Sequence, residues 1–180
     1  MYFVANWKMF GDLKSLNTLN KVITFTKKIK KKKFKLIYCL PTTLISAAAK
    51  IFKNTQIVVG AQNCHESENY GAYTGHINSK MLKDVGANYV ILGHSENRKS
   101  GENDKLINLK ISSAVKSGLK VIFCVGETQN EKRKKITKKV LANQISKGLR
   151  MIKNKKSILI AYEPVWAIGS GLIPKESDLF

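Results

Sequence analysis

Polar side chains that can move protons or bind anions closely follow several apolar segments of the sequence. They are Asn6, Lys8, His94, Glu96, Glu127 and Glu163. These residue types supply an amide, an ammonium group, an imidazole and carboxylates, which together suit general acid–base chemistry on a bound anion. Glu163 is the most informative, because a carboxylate at the end of a buried strand loses favourable hydration. Its presence there therefore indicates either a partner that compensates the charge or a role in a reaction. Whether these groups act together depends on the elements that position them.

Short apolar segments alternate with amphipathic segments along the chain. We predict strands at residues 2–7, 34–40, 56–61, 89–92, 121–125 and 158–162. Helices are predicted at residues 14–30, 43–52, 79–85, 104–117 and 131–153, and residues 174–180 resemble the start of another. This alternation is typical of a parallel sheet covered by helices, in which the carboxyl ends of the strands share one edge. We therefore expect the polar residues that follow the strands to share that edge.

The spacing of the strands favours an α/β barrel. Successive strands begin about 31 residues apart, and eight such units would need about 250 residues, the usual size of a closed (β/α)8 barrel. The chain has 180 residues, so we expect residues 1–180 to form a single partial barrel domain of about six units, without strands seven and eight. A doubly wound open sheet is the alternative, since six strands complete it. Its GxGxxG fingerprint and the phosphate-binding GxxxxGK(S/T) motif are both absent.

The composition predicts a folded protein with an excess of lysine. Hydrophobic residues make up 43% of the chain, which excludes a disordered or collagen-like protein. The 32 basic and 12 acidic residues give a net charge of +20, which would attract RNA, acidic lipid or a phosphorylated metabolite. Only three basic residues are arginine, which is favoured for bidentate phosphate and base contacts. We interpret the lysine clusters at residues 27–35 and 132–139 as solvated helix faces and expect no nucleic-acid partner.

The cysteines and the apolar segments restrict the cellular context. Cys39, Cys64 and Cys124 form no CxxC pair, which predicts reduced, buried thiols rather than a disulfide framework or a zinc site. His65 and His76 lie in a polar loop, and we expect no metal there. The sequence contains no signal peptide and no apolar run of 18 residues, so we expect no membrane association and a cytoplasmic location.

Four motifs, taken in order, resemble those of the triosephosphate isomerase family. They are Asn6-Trp7-Lys8, Gly93-His94-Ser95-Glu96, Cys124-Val125-Gly126-Glu127 and residues 162–171, and residues 61–63 and 71–75 resemble the long third loop of that family. The resemblance runs from Met1 to about Gly171. It implies an isomerase that interconverts dihydroxyacetone phosphate and D-glyceraldehyde 3-phosphate through an enediolate, in glycolysis and gluconeogenesis. It also implies a homodimer without metal or organic cofactor.

The resemblance assigns a role to each site residue. As is generally described for this family, Glu163 would be the base that moves a proton between adjacent carbons, and His94 would polarise the carbonyl as a neutral imidazole. Lys8 would act in catalysis and bind the substrate's oxygens and phosphate. Asn6 would donate an amide near the oxyanion, and the backbone N–H of Gly169 would bind the phosphate.

The run of residues 164–171 resembles the lid of that family. Glu127 would hold Trp166 of this lid, and burial beneath the lid is expected to raise the pKa of Glu163. Thr74, at the tip of the third loop, would cross to the neighbouring subunit and support its active site. Dimerisation would therefore be part of catalysis.

The sequence departs from the family in several places. Asn97 stands where arginine is usual, His76 where glutamate is common and Ser170 where threonine is usual, and residues 172–174 form an unusual distal hinge. The Ser-containing and Gly-Gly phosphate loops of strands seven and eight do not follow Phe180. We therefore expect a truncated chain that can be inactive by itself. Two other functions stay open, a basic non-catalytic binding module on a barrel fragment and another phosphosugar-handling barrel enzyme.

Overall fold

Six parallel strands form one sheet in the computed structural model, which describes residues 1–29 and 34–175. The strands are β1 Tyr2–Asn6, β2 Lys35–Leu40, β3 Ile57–Ala61, β4 Tyr89–Leu92, β5 Lys120–Val125 and β6 Ile158–Tyr162. Each strand pairs with its neighbours in sequence, in the order β1-β2-β3-β4-β5-β6. This unreversed order is that of a barrel wall, and the sheet curls into part of a (β/α)8 barrel. The doubly wound alternative, whose strand order reverses, is excluded.

Helices cover the outer face of this sheet. They are α1 Leu19–Lys28, α2 Thr42–Ile51, α3 Ser79–Asp84, α4 Ser95–Lys99, α5 Asp104–Lys116, α6 Gln129–Arg133 and α7 Thr137–Gly148, with short 3-10 turns at Lys14–Thr18 and Lys155–Ser157. The helix α7 packs closely on β5, because the ring of Phe123 fills the space in which Gly148 would carry a Cβ. Among the described residues, no helix is long and apolar enough to cross a membrane.

The helix predictions differ from the structure in several places. The segment predicted as one helix at residues 14–30 is a 3-10 turn at Lys14–Thr18 followed by α1. The segment predicted as one helix at residues 131–153 is two helices, α6 and α7, separated by a turn in which Lys135 has a φ of +57°. That left-handed backbone conformation ends an α-helix. The short helix α4 was not predicted, because five residues are too few to show a helical period. The predicted helix start at residues 174–180 lies mostly outside the described residues, as do Lys30 to Lys33 of the first lysine cluster.

The sheet is buried on both faces in its centre. Val121, Phe123 and Val125 of β5 pack under the helices, whereas Ile122 and Cys124 face the inside of the barrel with Ile91 of β4. This alternation explains why the strands are nearly continuous apolar runs. The prediction of buried free thiols is confirmed for all three cysteines, and burial raises the pKa of each to about 12. They are therefore poor nucleophiles.

The first and last strands are much more exposed. Tyr2 and Phe3 of β1 are 49% and 50% exposed, and Ile160 of β6 is 46% exposed. Because these strands stand at the two ends of the sheet order, each has one side without a neighbouring strand among the described residues. The central strands therefore form the most buried part of the sheet, and the candidate site extends from them to both ends of the described sheet.

Candidate active site

The candidate site lies where three strands end. Asn6 is the last residue of β1, His94 follows β4 and Glu163 follows β6. The Nε2 atom of His94 is 2.6 Å from Oε1 of Glu163 and 2.8 Å from Nζ of Lys8. The structure therefore brings together the carboxylate, the imidazole and the ammonium group that sequence analysis selected.

The hydrogen bonds of His94 define which nitrogen carries its proton. The side chain caps α4, and its Nδ1 accepts a hydrogen bond of 3.2 Å from the backbone N–H of Glu96. A nitrogen that accepts a hydrogen bond is unprotonated, so Nε2 carries the proton and donates it to Glu163. The ammonium group of Lys8 lies beside this contact and donates to Oε1 of Glu96 at 3.1 Å. His94 is thus a neutral, buried N–H donor.

Glu163 is held as an ionised carboxylate. Its Oε2 accepts a hydrogen bond of 3.0 Å from the backbone N–H of Ser95, and its Oε1 accepts from His94. Burial alone would raise the pKa of Glu163, but these hydrogen bonds and the nearby charge of Lys8 outweigh it, so the pKa is lowered. The expectation of a raised pKa is wrong for this arrangement, because it considered burial without the donors.

The backbone next to Glu163 explains why position 126 is a glycine. A Cβ at Gly126 would collide with the carbonyl oxygen of Glu163, because the loop after β5 passes directly against the end of β6. Both the N–H and the carbonyl of Gly126 bond to the side chain of Gln144 on α7, at 2.9 and 3.0 Å. The close contact between the loop after β5 and the end of β6 thus fixes the backbone position of Glu163.

Lys8 has a strained backbone that its neighbours hold in place. Its φ of +55° lies in the left-handed region, which is unfavourable for residues other than glycine. The Oδ1 atom of Asn6 accepts from the backbone N–H of Lys8 at 2.9 Å, and the side-chain amide of Gln62 donates to the carbonyl of Lys8 at 2.8 Å. The same Gln62 amide lies 3.2 Å from Oδ1 of Asn6. Asn6 and Gln62 together position the lysine.

Gln62 is a site residue to which sequence analysis gave no role. It belongs to a family-like motif, and it is also the polar residue that follows a predicted strand directly, the signal that selected the other residues. A cavity of about 300 Å³ lies next to it, and its wall includes Asn6, Lys8, Gln62, His94, Glu96 and Asn97. The cavity is large enough for a phosphorylated three-carbon compound, and its cation and amides suit an anion.

The lid segment has a fixed end and a free end. The indole N–H of Trp166 donates to Oε1 of the buried Glu127 at 2.9 Å, and the hydroxyl of Tyr162 lies 3.0 and 3.1 Å from the two oxygens of that carboxylate. Gly169 is exposed, has a φ of +68°, and has open space around the position of a Cβ. Like Glu163, it lies outside the cavity wall. Glu163 contacts His94 of that wall, whereas the structure does not bring Gly169 to the other site residues.

The third loop projects from the sheet after β3. Its tip includes the exposed residues Tyr73 and Thr74. The ring of His65 lies 4.4 Å from that of Tyr73 and 4.7 Å from that of His76, so the loop is held by contacts of its own. Within the described ranges, no group of three or more histidine, cysteine, aspartate or glutamate side chains could hold a metal ion.

The site and fold agree with comparisons to known proteins. The family model for triosephosphate isomerase matches residues 1–179. A triosephosphate isomerase of Thermodesulfovibrio yellowstonii is 44% identical over 99% of this chain and 72% of its own, and one of Mesorhizobium japonicum is 41% identical over 97% and 68%. The crystal structure of triosephosphate isomerase from Bartonella henselae superposes with a TM-score of 0.85 at 38% identity, covering 92% of this chain and 68% of that one. The chain thus belongs to the triosephosphate isomerase family.

Proposed function

We propose that the chain interconverts dihydroxyacetone phosphate and D-glyceraldehyde 3-phosphate by proton transfer through an enediolate, a step of glycolysis and gluconeogenesis. The observation that carries the proposal is the contact of His94 Nε2 with both Glu163 Oε1 and Lys8 Nζ, at 2.6 and 2.8 Å. A base, a neutral N–H donor and a cation at one point are what this reaction requires. The base removes a proton beside a carbonyl, and the donor and cation stabilise the oxygen that becomes negative.

Glu163 acts as the base after substrate has replaced its present hydrogen-bond donors. In this structure its carboxylate is bound by His94 and Ser95, which lowers its pKa and weakens it as a base. When substrate displaces those donors, burial remains and raises the pKa. The released carboxylate takes a proton from one carbon of the triose phosphate and returns it to the adjacent carbon. Release from the two donors therefore couples substrate binding to the strength of the base.

His94 and Lys8 stabilise the enediolate oxygen. Once Glu163 has moved, the Nε2–H of His94 is available to the substrate's oxygen, and it stays neutral because Nδ1 accepts the backbone N–H of Glu96. Lys8 supplies positive charge to the same oxygens and to the phosphate, and the amide of Asn6 contributes a further donor. The backbone N–H of Gly169 reaches the phosphate when the lid closes, since its exposed, left-handed backbone leaves room for another group to approach.

The proposal includes a dimer of single partial-barrel domains. One continuous sheet across the described residues supports residues 1–180 as one domain. The third loop supports a homodimer, because Tyr70 and Tyr73 on it are 75% and 50% exposed and a second copy would bury them. Thr74, directly after Tyr73, would reach the partner's active site. Sedimentation equilibrium tests this part, and a concentration-independent monomer would contradict it.

The proposed partners and location follow from the same chemistry. The substrate is a small phosphorylated triose, and no cofactor, metal, nucleic acid or membrane takes part. Exposed lysines on helices α1 and α7 support the interpretation of the charge as solvated surface, including Lys27, Lys28, Lys138 and Lys139. A cytoplasmic location fits a substrate of central carbon metabolism.

The experiment is a steady-state isomerase assay of the 180-residue chain in both directions. Glu163→Asp withdraws the carboxylate by about 1 Å, and displacements of that size lower kcat by about 100-fold. His94→Gln replaces the imidazole by an amide that can still donate a hydrogen bond, and it also lowers kcat. Asp84→Asn, at an exposed carboxylate on α3 outside the site and the third loop, is the matched control and leaves turnover unchanged.

Two results would contradict the proposed function. Unchanged turnover in both Glu163→Asp and His94→Gln would remove the assigned roles. Absence of triose phosphate turnover in the unsubstituted chain, together with turnover of a longer ketose phosphate, would identify a different phosphosugar-handling barrel.

A further inference from the structure

The indole ring of Trp166 is held from two directions by one short segment of the chain. Its N–H edge donates to the buried Glu127 at 2.9 Å. Its face is covered by Lys132, whose Nζ lies 3.1 Å from the ring centroid. Glu127 and Lys132 are five positions apart and belong to the loop and helix that follow β5. The ring is only 9% exposed as a result.

The two contacts strengthen each other. A cation over the face of tryptophan is attracted by the negative charge of the π system. An indole N–H that donates to a carboxylate gives up positive charge at its edge, so the ring becomes a better partner for the cation on its face. Glu127 is 1% exposed, and its carboxylate is bound by Trp166 and by Tyr162 of β6. The indole thus lies between an anion at its edge and a cation on its face.

The helix that carries Lys132 is itself well fixed. Thr128 caps α6, and a capping box joins its hydroxyl and backbone to Glu131. Capping of this kind stabilises a short helix at its first turn. Lys132 stands in the last turn of α6 and is partly buried, whereas Lys134 just beyond it is exposed. Of the second lysine cluster, Lys132 is therefore the member with a defined contact on the lid.

The far half of the lid and the hinge residues that follow it have no contact comparable to those of Trp166 among the described residues. Leu172 and Ile173 are 55% and 87% exposed, and Gly169 and Gly171 have φ values of +68° and +73°. An added Cβ at either glycine would meet open space. We therefore expect movement of the lid to be concentrated beyond Trp166.

We propose that Lys132 is a positioning residue for the lid, whose ammonium group fixes the face of Trp166 and so holds the near end of residues 164–171 while the far end moves. The inference rests on the proposed function in that these residues are the lid of that site. Lys132 touches no substrate in this role. It sets how far the lid can leave the position in which Gly169 reaches the phosphate.

The experiment is acrylamide quenching of Trp166 fluorescence. The chain has two tryptophans, so all variants carry Trp7→Phe. Lys132→Met removes the charge and keeps a long side chain, Lys132→Arg keeps the charge, and Lys132→Gln is a second neutral variant. Lys134→Met is the matched control, since it removes the same charge from an exposed position two residues away. Far-ultraviolet circular dichroism checks that each variant keeps its fold.

We expect Lys132→Met and Lys132→Gln to raise the quenching constant of Trp166 about threefold, as loss of a cation–π contact of ordinary strength predicts. Lys132→Arg and Lys134→Met leave the constant unchanged. In the isomerase assay, Lys132→Met lowers kcat/KM by the same factor and Lys132→Arg restores it.

Equal quenching in Lys132→Met and Lys134→Met would overturn the inference. Loss of the fold in both neutral variants would also overturn it, because Lys132 would then have a general structural role. Quenching is measured without substrate, so failure of the proposed function leaves this result in place. Failure of the inference likewise leaves the Glu163→Asp test unaffected.

Discussion

The centre and the two ends of the sheet differ sharply in burial. All four residues of β4 are buried, whereas β1 and β6 contain no buried residue. His94 follows the buried β4, while Lys8 and Glu163 follow the two exposed strands. The site thus joins one residue that follows a buried strand to two residues that follow more exposed strands. Lys8, after the first strand, and Glu163, after the last strand, both contact the Nε2 atom of His94, so side-chain contacts connect the two ends of the sheet.

The residues that follow these strands have different tasks in the proposed reaction. His94 must present one nitrogen at a fixed point, and the buried strand with its capped helix α4 provides that. Glu163 must move between its present donors, His94 and Ser95, and the substrate, and it stands at the start of the loop that follows β6. Lys8 needs to stay in place on an exposed strand, and it does so through Asn6 and Gln62.

The largest expected effect tests the contrast in stability directly. Phe123 of β5 is 0% exposed and Phe3 of β1 is 50% exposed, so the same change at both compares centre with end. Phe123→Ala should lower the free energy of unfolding by about 3 to 5 kcal/mol, because it leaves a cavity in the core. Phe3→Ala should lower it by less than about 1 kcal/mol. Urea unfolding measures both, and equal losses would contradict the contrast.

A smaller effect, on catalysis, is expected when a residue after the central strand β3 no longer positions Lys8, which follows β1. Gln62 follows β3 and holds the strained backbone of Lys8. Gln62→Ala removes a partly buried hydrogen bond to that backbone, so kcat/KM should fall about tenfold, which corresponds to about 1.4 kcal/mol. The exposed Gln129→Ala is the control. Steady-state kinetics would refute the positioning role if Gln62→Ala matched the control.

The smallest effect concerns the pH dependence of stability. The hydrogen bonds from His94 and Ser95 hold the pKa of Glu163 below its ordinary value of 4.5, so the ionised group stabilises the fold above about pH 4.5 and loses this contribution as pH falls through the lowered pKa. The difference in unfolding free energy between the chain and Glu163→Gln should therefore shrink from pH 6 to pH 3. Urea unfolding across this range measures it, with Glu68→Gln as control. A difference that grows on acidification would contradict the lowered pKa.

Much of the fold could be predicted from the sequence. Strands β4 and β6 match their predicted bounds, and the others differ by one residue at an end, because each is an apolar run bounded by polar residues. The contact of Glu127 with Trp166 was implied by the family resemblance and is present. The polar residues after the strands meet because parallel strands end at one edge.

Other features depend on contacts that no local pattern contains. The turn between α6 and α7 places a lysine, Lys135, in a left-handed conformation that a sequence rarely signals. The lowered pKa of Glu163 depends on the side chain of His94 and the backbone of Ser95, of which the nearer in sequence is 68 positions away. Gln62 follows a strand as the other site residues do, but its role became visible only from its hydrogen bonds to Asn6, Lys8 and Cys39.

The most direct measurement is the incorporation of deuterium into triose phosphate when the chain and dihydroxyacetone phosphate are incubated in deuterium oxide. Nuclear magnetic resonance follows the label on the carbon that exchanges its proton. If Glu163 is the base, the chain labels that carbon and Glu163→Gln does not. Labelling by Glu163→Gln at the rate of the unsubstituted chain would mean that another group moves the proton, and the account of this site would be wrong.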